Sequence, residues 1–191
     1  TFENGGVSCT GPATPFEITV NPTAQVNPTV DMVVTDGDNV DIPFSTINTG
    51  GTSTYTWTNT DPTTGLTNTG SSDIGFTAVN TGTSPITTTV VVTPTFENGG
   101  NSNSGPTDTF IITVNPTAQI DPIDSLVFCD EDVVDPIVFT TQNTGGTTTY
   151  SWTNDNTSIG LASSGNGTVS AFTVLNSSNQ TQVANIVVIP T

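Results

Sequence analysis

The stretch TFENGG at residues 1–6 returns unchanged at residues 95–100, which is 94 residues later. A second stretch, FEITVNPTAQ at residues 16–25, returns as FIITVNPTAQ at residues 110–119 with the same offset. Solenoid repeats are shorter, at about 20–50 residues per unit. A two-sheet sandwich domain needs roughly 100 residues, which is close to this period. The repeat therefore predicts a string of separate domains, each with its own core.

Composition indicates that these domains are built from strands. Val, Ile, Phe and Thr favour extended backbone and recur along the chain. In addition, 18 Gly and 13 Pro punctuate the sequence at short intervals. This pattern is typical of short strands joined by turns. The sequence therefore predicts an all-β fold.

Alternating apolar and polar residues predict six strands within the repeat. Tyr55 and Trp57 are two residues apart, so both face the same side of one strand. The pair returns as Tyr150 and Trp152. Such a pair suits the core of an immunoglobulin-like sandwich, and a carbohydrate-stacking surface is the alternative. The predicted strands are 31–34, 40–46, 53–59, 74–79, 86–94 and 109–114.

Proline marks the expected borders between domains. Asn21-Pro22-Thr23 follows a predicted closing strand at residues 18–20, and its counterpart Asn115-Pro116-Thr117 follows the predicted strand 109–114. Proline lacks the N–H that a sheet ladder needs, so pairing should stop there. We expect residues 1–23 to be the C-terminal hairpin of a preceding repeat. Residues 24–117 are expected to form one complete repeat, and residues 118–191 a following repeat that lacks its last hairpin.

The charge balance limits what the protein can bind. The chain has 17 acidic residues and no Lys, Arg or His, which gives a formal charge of −17. Nucleic acid is excluded as a partner because its phosphates need basic side chains, and anionic membrane surfaces repel such a chain. Repulsion between acidic domains favours an extended, soluble rod. Metal-free catalysis would rest on carboxylates or a thiol alone, so we predict no enzyme and no catalytic residue.

Two acidic turns are candidate metal sites. Carboxylates at alternate positions of a turn suit Ca²⁺, although their spacing here is not that of an EF-hand loop. The alternative is a solvated charged turn that blocks the association of sheet edges. Calcium is the one cofactor that the sequence suggests. The six residues are Asp36, Asp38 and Asp41, with their counterparts Asp130, Asp132 and Asp135.

The sequence VVTPTFENGG at residues 91–100, followed by FIITVNPT at residues 110–117, resembles the PKD-like repeats of Bacteroidota surface proteins. The resemblance extends over essentially the whole chain. Trp57 is followed by Thr-Asn-Thr-Asp, where standard PKD domains have a run of the Asp-Phe-Gly-Asp type, so no site is carried over from them. The resemblance implies tandem immunoglobulin-like (PKD-like) β-sandwich repeats of about 95 residues.

Proteins with such repeats include the long adhesins of gliding bacteria, and the resemblance implies a location and partners. The location is the cell surface, reached by export through the outer membrane by the type IX secretion system. The implied partners are neighbouring repeats of the same chain, extracellular polysaccharide or an abiotic surface, and components of the secretion or gliding machinery. We predict a non-catalytic segment of an adhesin stalk. The alternative is a carbohydrate-binding or spacer module of a secreted type IX substrate.

The two cysteines occupy different positions of the repeat. Cys9 aligns with Asn103, and Cys129 aligns with Thr35. We expect these two positions to be neighbours in one folded domain. Cys9 would then form a disulfide with a residue before this chain, and Cys129 with a residue after it, as suits an oxidising extracellular compartment. The alternative is a pair of unrelated buried thiols.

Overall fold

The computed structural model describes residues 1–191, and almost all of its regular structure is β-strand. No helix in it is long and apolar enough to cross a membrane. Two 3₁₀ turns occur, at Pro62–Thr64 and Thr157–Ile159. The strands up to residue 117 are β1 (Phe2–Asn4), β2 (Val7–Cys9), β3 (Met32–Thr35), β4 (Asn39–Ile42), β5 (Thr52–Asn59), β6 (Thr69–Ser71), β7 (Ile74–Thr77), β8 (Ile86–Asn98), β9 (Asn101–Ser104) and β10 (Asp108–Asn115). The later strands are β11 (Val133–Val134), β12 (Tyr150–Asn154), β13 (Ser164–Asn166), β14 (Phe172–Thr173) and β15 (Ile186–Pro190).

Residues 24–117 form two sheets. The larger sheet has the strand order β3-β10-β8-β5-β6, and β9 pairs with the last residues of β8. The smaller sheet consists of β4 and β7. All neighbouring strands are antiparallel except β3 and β10, which are parallel, with Met32 opposite Ile112. The last strand of this unit therefore lies inside the larger sheet, between the first strand and β8.

One apolar core of 11 buried residues lies between the two sheets. The larger sheet contributes Trp57, Phe110 and Ile112, and the smaller sheet contributes Val40 and Ile74. Along β10 the apolar residues at every second position are buried, because successive side chains of a strand point to opposite faces. Two sheets that face each other across a shared core are the arrangement of a β-sandwich.

The predicted all-β fold and the six predicted strands are confirmed, with different ends. β4 stops at Ile42 instead of residue 46, since Pro43 has no N–H to donate to the ladder. β8 is longer than predicted, because Pro94 lies within the ladder opposite Tyr55 and pairing continues to Asn98. Trp57 and Trp152 are only 7% and 6% exposed, so the core interpretation of both side chains is confirmed.

Residues 118–191 form a smaller version of the same arrangement. Their main sheet has three strands in the order β13-β12-β15, and β11 pairs with β14. Trp152 lies against Gly165 as Trp57 lies against Gly70. The core contains only four buried residues: Phe139, Trp152, Leu161 and Val169. This unit therefore repeats the aromatic part of the core and has fewer strands around it.

Residues 1–23 lie outside both cores. β1 and β2 form a hairpin in which Phe2 is opposite Cys9, the register that Phe96 and Asn103 have in β8 and β9. The closing strand that we predicted around residues 18–20 is not formed. In the 24–117 unit the matching strand, β10, pairs with β8. No segment among residues 1–191 pairs with residues 18–20 in that way.

The chain enters and leaves the 24–117 unit at opposite ends. At the entry end, a Cβ on Gly105 would lie 1.7 Å from the carbonyl oxygen of Ala24, so the incoming chain touches the start of the β9–β10 connection. At the exit end, Val114 is opposite Ile86, the first residue of β8. The 13 residues of β8 connect the two ends, a length of roughly 40 Å at about 3.3 Å per residue. The residues before and after this unit therefore join it at opposite ends.

Candidate functional site

The aspartate turns hold strands together through hydrogen bonds to the backbone. Asp36 accepts hydrogen bonds from the N–H of Asn80 at 2.8 Å and from the hydroxyl of Thr117 at 3.1 Å. Asp38 accepts one from the N–H of Thr35 at 2.8 Å. Asp36 therefore joins the turn after β3 to the segment that follows β7 and to the exit from the unit, and Asp38 closes the turn itself.

The second turn repeats this arrangement. Asp130 accepts a hydrogen bond from the N–H of Asn176 at 2.7 Å, and Asp132 accepts one from the N–H of Cys129 at 2.7 Å. Asp41 and Asp135 are exposed. Nowhere in the chain do three or more His, Cys, Asp or Glu side chains come together in a group that could hold a metal ion. Four of the six carboxylates accept hydrogen bonds from separate backbone N–H groups, and calcium binding at these turns stays a prediction.

The two cysteines are exposed and free, and their repeat positions are far apart. Thr35, the counterpart of Cys129, lies opposite Asn115 at the exit end. Asn103, the counterpart of Cys9, lies opposite Phe96 near the entry end. Ten residues of β8 separate the two ladders, roughly 33 Å. A disulfide needs Cα atoms within about 7 Å, so the expectation that the two positions are neighbours is wrong.

Two carboxylates have a lowered pKa because loop residues donate hydrogen bonds to them. The hydroxyl and N–H of Thr63 donate to Asp61 and hold the pKa of that carboxyl below its usual value. The side-chain amide and N–H of Asn185 do the same for the pKa of Asp155. A carboxyl with a lowered pKa favours the folded state at neutral pH and loses that contribution as the pH falls through its folded-state pKa. Both carboxyls are thus structural groups of the loops.

The junctions between units are the most regular feature outside the cores. The side chain of Asn48 donates to the carbonyl of Thr23 at 3.0 Å and accepts from the N–H of Gln25 at 2.7 Å. The hydroxyl of Thr46 donates to the same Asn48 oxygen at 3.0 Å. A single asparagine therefore binds the incoming chain on both sides of Ala24, which is fully buried.

The same hydrogen bonds recur 94–95 residues later. Asn143 donates to the carbonyl of Thr117 at 3.3 Å and accepts from the N–H of Gln119 at 2.7 Å. The hydroxyl of Thr141 donates to the Asn143 oxygen at 3.0 Å. We call Asn48 and Asn143 the junction asparagines. Their repetition means that both units receive the preceding chain in the same way.

Contacts across the junctions extend beyond these asparagines. Asn21 donates to the carbonyls of Asn98 and Asn101, at 3.0 and 3.3 Å, in the turn of the β8–β9 hairpin. At the next junction the N–H of Thr144 donates to the carbonyl of Thr83 at 2.7 Å. A Cβ on Gly145 would lie 2.8 Å from the ring of Pro85. Each unit therefore touches its predecessor at two places, which restricts bending between units.

Sequence reasoning did not assign a role to the junction asparagines. The signal was present, since Asn48-Thr49-Gly50-Gly51 returns as Asn143-Thr144-Gly145-Gly146. That match was readable as a turn, because Asn and Gly are common turn residues. The partner carbonyls at Thr23 and Thr117 lie about 25 residues earlier, and only the folded chain brings them to the turn.

Comparison of the sequence with family models and with curated proteins gave no match.

Replacing Asn48 with alanine is expected to loosen the first junction. The change removes an acceptor for Gln25 and a donor for Thr23, so we expect a loss of about 1–2 kcal/mol from the stability of the 24–117 unit. The amide of Gln25 should exchange its hydrogen faster, as measured by hydrogen exchange with NMR. Asn68→Ala is the matched control, because Asn68 is exposed and its side chain makes no hydrogen bond. Unchanged hydrogen exchange at Gln25 in the Asn48 variant would contradict the role of this junction asparagine.

Proposed function

We propose that this chain is a non-catalytic repeat segment of a long cell-surface adhesin stalk that serves surface attachment and gliding motility. The single observation that carries the proposal is the junction, which is built from the same hydrogen bonds at Asn48 and Asn143. Identical junctions between units that enter and leave at opposite ends produce a linear array. A linear array is suited to holding a distal contact away from a cell.

The surface chemistry supports this proposal. The formal charge of −17 without any basic side chain keeps neighbouring stalks apart and soluble. The exposed faces of the strands carry mainly Thr, Ser and Asn, which offer many weak polar contacts to polysaccharide or an abiotic surface. When many repeats act together, such contacts add up through avidity. Resemblance to the PKD-like repeats of Bacteroidota adds export by the type IX secretion system to the proposal.

Neither of the other function classes has comparable support. Both Trp side chains are buried in cores, so they are not available to stack on sugars. The carboxylates accept hydrogen bonds from backbone N–H groups and do not face one another across a cleft. A carbohydrate-binding or spacer module of a secreted type IX substrate is the second candidate. A binding module predicts that short arrays bind polysaccharide as well as long arrays do.

Tandem arrays made by repeating residues 1–190 test the proposal. Their joints read VVIPTFENGG, which matches VVTPTFENGG at residues 91–100. Electron microscopy should show a stiff rod with a rise of roughly 40 Å per unit, judged from the strand length, and the rise should not depend on calcium. Adhesion of coated beads to polysaccharide or glass should increase steeply with the number of units. Compact particles, or equal binding by short and long arrays, would contradict the stalk.

A further inference from the structure

The first and last strands of the 24–117 unit's larger sheet are its parallel pair. β3 and β10 run in the same direction, with Met32 opposite Ile112 and Thr35 opposite Asn115. The chain reaches β3 from the entry end of the unit and leaves β10 at the exit end. Tension on the chain before and after the unit therefore pulls β3 toward the entry end and β10 toward the exit end. The two strands are thus loaded so that they slide along each other.

Sliding loads all the contacts between two strands at the same time. When two strands are peeled apart from one end, their hydrogen bonds break one after another, and each needs only a small force. When the strands are pulled lengthwise, every hydrogen bond of the ladder lies across the direction of sliding, so the bonds resist together. A single hydrogen bond contributes little net stability. Simultaneous loading therefore decides how much tension such a ladder bears.

β3 is the strand whose detachment opens the unit. It lies at the edge of the larger sheet and pairs with β10 alone, whereas β10 also pairs with β8 along its other side. The side chains of Met32 and Val34 pack against the core, so the loss of β3 would expose that core. Under tension the contact between β3 and β10 therefore yields before the contact between β10 and β8, and its strength limits that of the unit.

Two aspartates extend this contact beyond the ladder on the entry side. The N–H of Ile111 donates to the carboxylate of Asp31 at 2.7 Å, and the N–H of Thr29 donates to the carboxylate of Asp108 at 2.7 Å. Hydrogen bonds to an ionised acceptor are shorter and stronger than those between neutral groups. The two carboxylates therefore continue the connection between the segments past Met32, where the backbone pairs begin.

The exit side of the ladder is extended as well. The N–H of Asp36 donates to the carbonyl of Asn115 at 2.9 Å, and the carboxylate of Asp36 accepts a hydrogen bond from the hydroxyl of Thr117 at 3.1 Å. Thr117 belongs to the chain that leaves the unit. Hydrogen bonds therefore connect residues 29–36 with residues 108–117 along the whole length of β3.

The two carboxylates on the entry side are particular to this unit. By the 94-residue offset, Thr14 and Ser125 occupy the positions of Asp108 and Asp31. Neither threonine nor serine carries the charge that strengthens a hydrogen bond from a backbone N–H. Asp31 and Asp108 therefore distinguish this unit from the repeats on either side of it.

We propose that the contact between β3 and β10 is a tension clamp of the 24–117 unit, and that Asp31 and Asp108 are its reinforcing residues. The clamp keeps the unit folded when the chain is pulled from both sides, because its hydrogen bonds have to break together. This inference goes beyond the stalk proposal, since it holds for any attachment that puts the chain under tension.

The two native cysteines allow the clamp to be tested on the 191-residue chain. Cys9 precedes the unit, Cys129 follows it, and both are exposed and free, so optical-tweezers handles can be attached to them. Thr35→Cys in a Cys9→Ser background moves one handle to the exit end of β3, and tension then peels β3 from β10. Unfolding of the unit releases about 300 Å of chain in either arrangement, which identifies the event. The unfolding force should be several times higher with handles on Cys9 and Cys129.

Aspartate variants and a matched control test the reinforcing residues. With handles on the native cysteines, Asp31→Ala and Asp108→Ala should each raise the unfolding rate at constant force roughly tenfold, since each removes a charge-assisted hydrogen bond from the loaded contact. Asp61→Ala removes bonds of the same kind from Thr63, away from β3. It should lower stability in urea and leave the unfolding rate under force unchanged.

Peeling gives a further control. It begins at the exit end of β3, so neither Asp31→Ala nor Asp108→Ala should change the force needed in that arrangement. Equal unfolding forces in the two handle arrangements would overturn the clamp. Unchanged unfolding rates under force in both aspartate variants would overturn the role of the carboxylates. The comparison of handle arrangements needs no aspartate variant, so it tests the clamp even where circular dichroism shows that a variant has not folded.

Discussion

Replacing Trp57 with alanine is expected to lower the free energy of unfolding of the 24–117 unit by about 3–5 kcal/mol, the usual cost of removing a large aromatic side chain from a core. Trp57 is 7% exposed and belongs to the 11-residue core. A Cβ on Gly70 would lie 2.1 Å from the indole ring of Trp57, so the neighbouring strand β6 has no room for a side chain at this position. Alanine leaves a cavity that this backbone cannot fill.

Urea unfolding followed by circular dichroism measures this loss. In the variant the remaining Trp152 reports on residues 118–191 alone, and its fluorescence transition should not move. Trp57→Phe is the matched control. The indole Nε1 of Trp57 is buried and has no hydrogen-bond partner, so phenylalanine removes an unsatisfied donor while it keeps much of the apolar contact. We expect the phenylalanine variant to lose less than half as much stability, and equal losses would contradict this explanation.

Asn59→Ala is expected to cost about 3 kcal/mol in the same unit, because several buried polar groups lose their partner at once. The side chain of Asn59 donates to the carbonyls of Leu66 and Asp61 at 2.8 and 3.1 Å. Its oxygen accepts a hydrogen bond from the hydroxyl of Thr88. Asn59 therefore fixes the loop after β5 to the strand β8, and chemical denaturation of the variant should show the loss.

One further variant separates hydrogen bonding from size at this position, and a second variant, at an exposed asparagine, is its control. Asn59→Asp keeps the shape but cannot donate to the two carbonyls when ionised. Its folded-state pKa should lie above its unfolded value, so the variant should become more stable relative to the parent as the pH falls. Asn68→Ala, at an exposed position, should be neutral within about 0.5 kcal/mol. An Asn59→Ala variant as stable as the parent would show that water hydrogen-bonds to the loop carbonyls as well as the Asn59 side-chain amide does.

Asn154 is the counterpart of Asn59 in the second unit, and its contacts indicate that the two units share the same local structure. Asn154 donates to the carbonyls of Leu161 and Asn156 at 3.1 and 3.2 Å. These carbonyls lie seven and two residues after Asn154, as the two acceptors of Asn59 do after Asn59. Phe44 and Tyr55 pack with ring centroids 5.5 Å apart, and Phe139 and Tyr150 repeat that distance. The second unit therefore keeps the local structure around its Trp even though its main sheet has fewer strands.

The sequence by itself determined the repeat, the all-β class and the burial of both Trp side chains. These follow from short-range patterns, because alternation with a period of two, Pro and Gly act on residues close to them in the chain. The ends of the strands were predicted less accurately than the strands themselves. Pro43 stopped a strand as expected of proline, whereas Pro94 did not, because β5 and β9 held β8 on both sides.

Only the tertiary structure decided the pairing of distant segments. Asp36 and Asp130 accept hydrogen bonds from the backbone N–H groups of Asn80 and Asn176, more than 40 residues away, which the sequence of the turns alone does not indicate. Thr35 and Asn103 were expected to be neighbours, and the ladders place them at opposite ends of β8. The junction asparagines acquire their role in the same way. Such contacts depend on which strands lie side by side, and that choice is made by burial of the whole core, not by any short stretch of sequence.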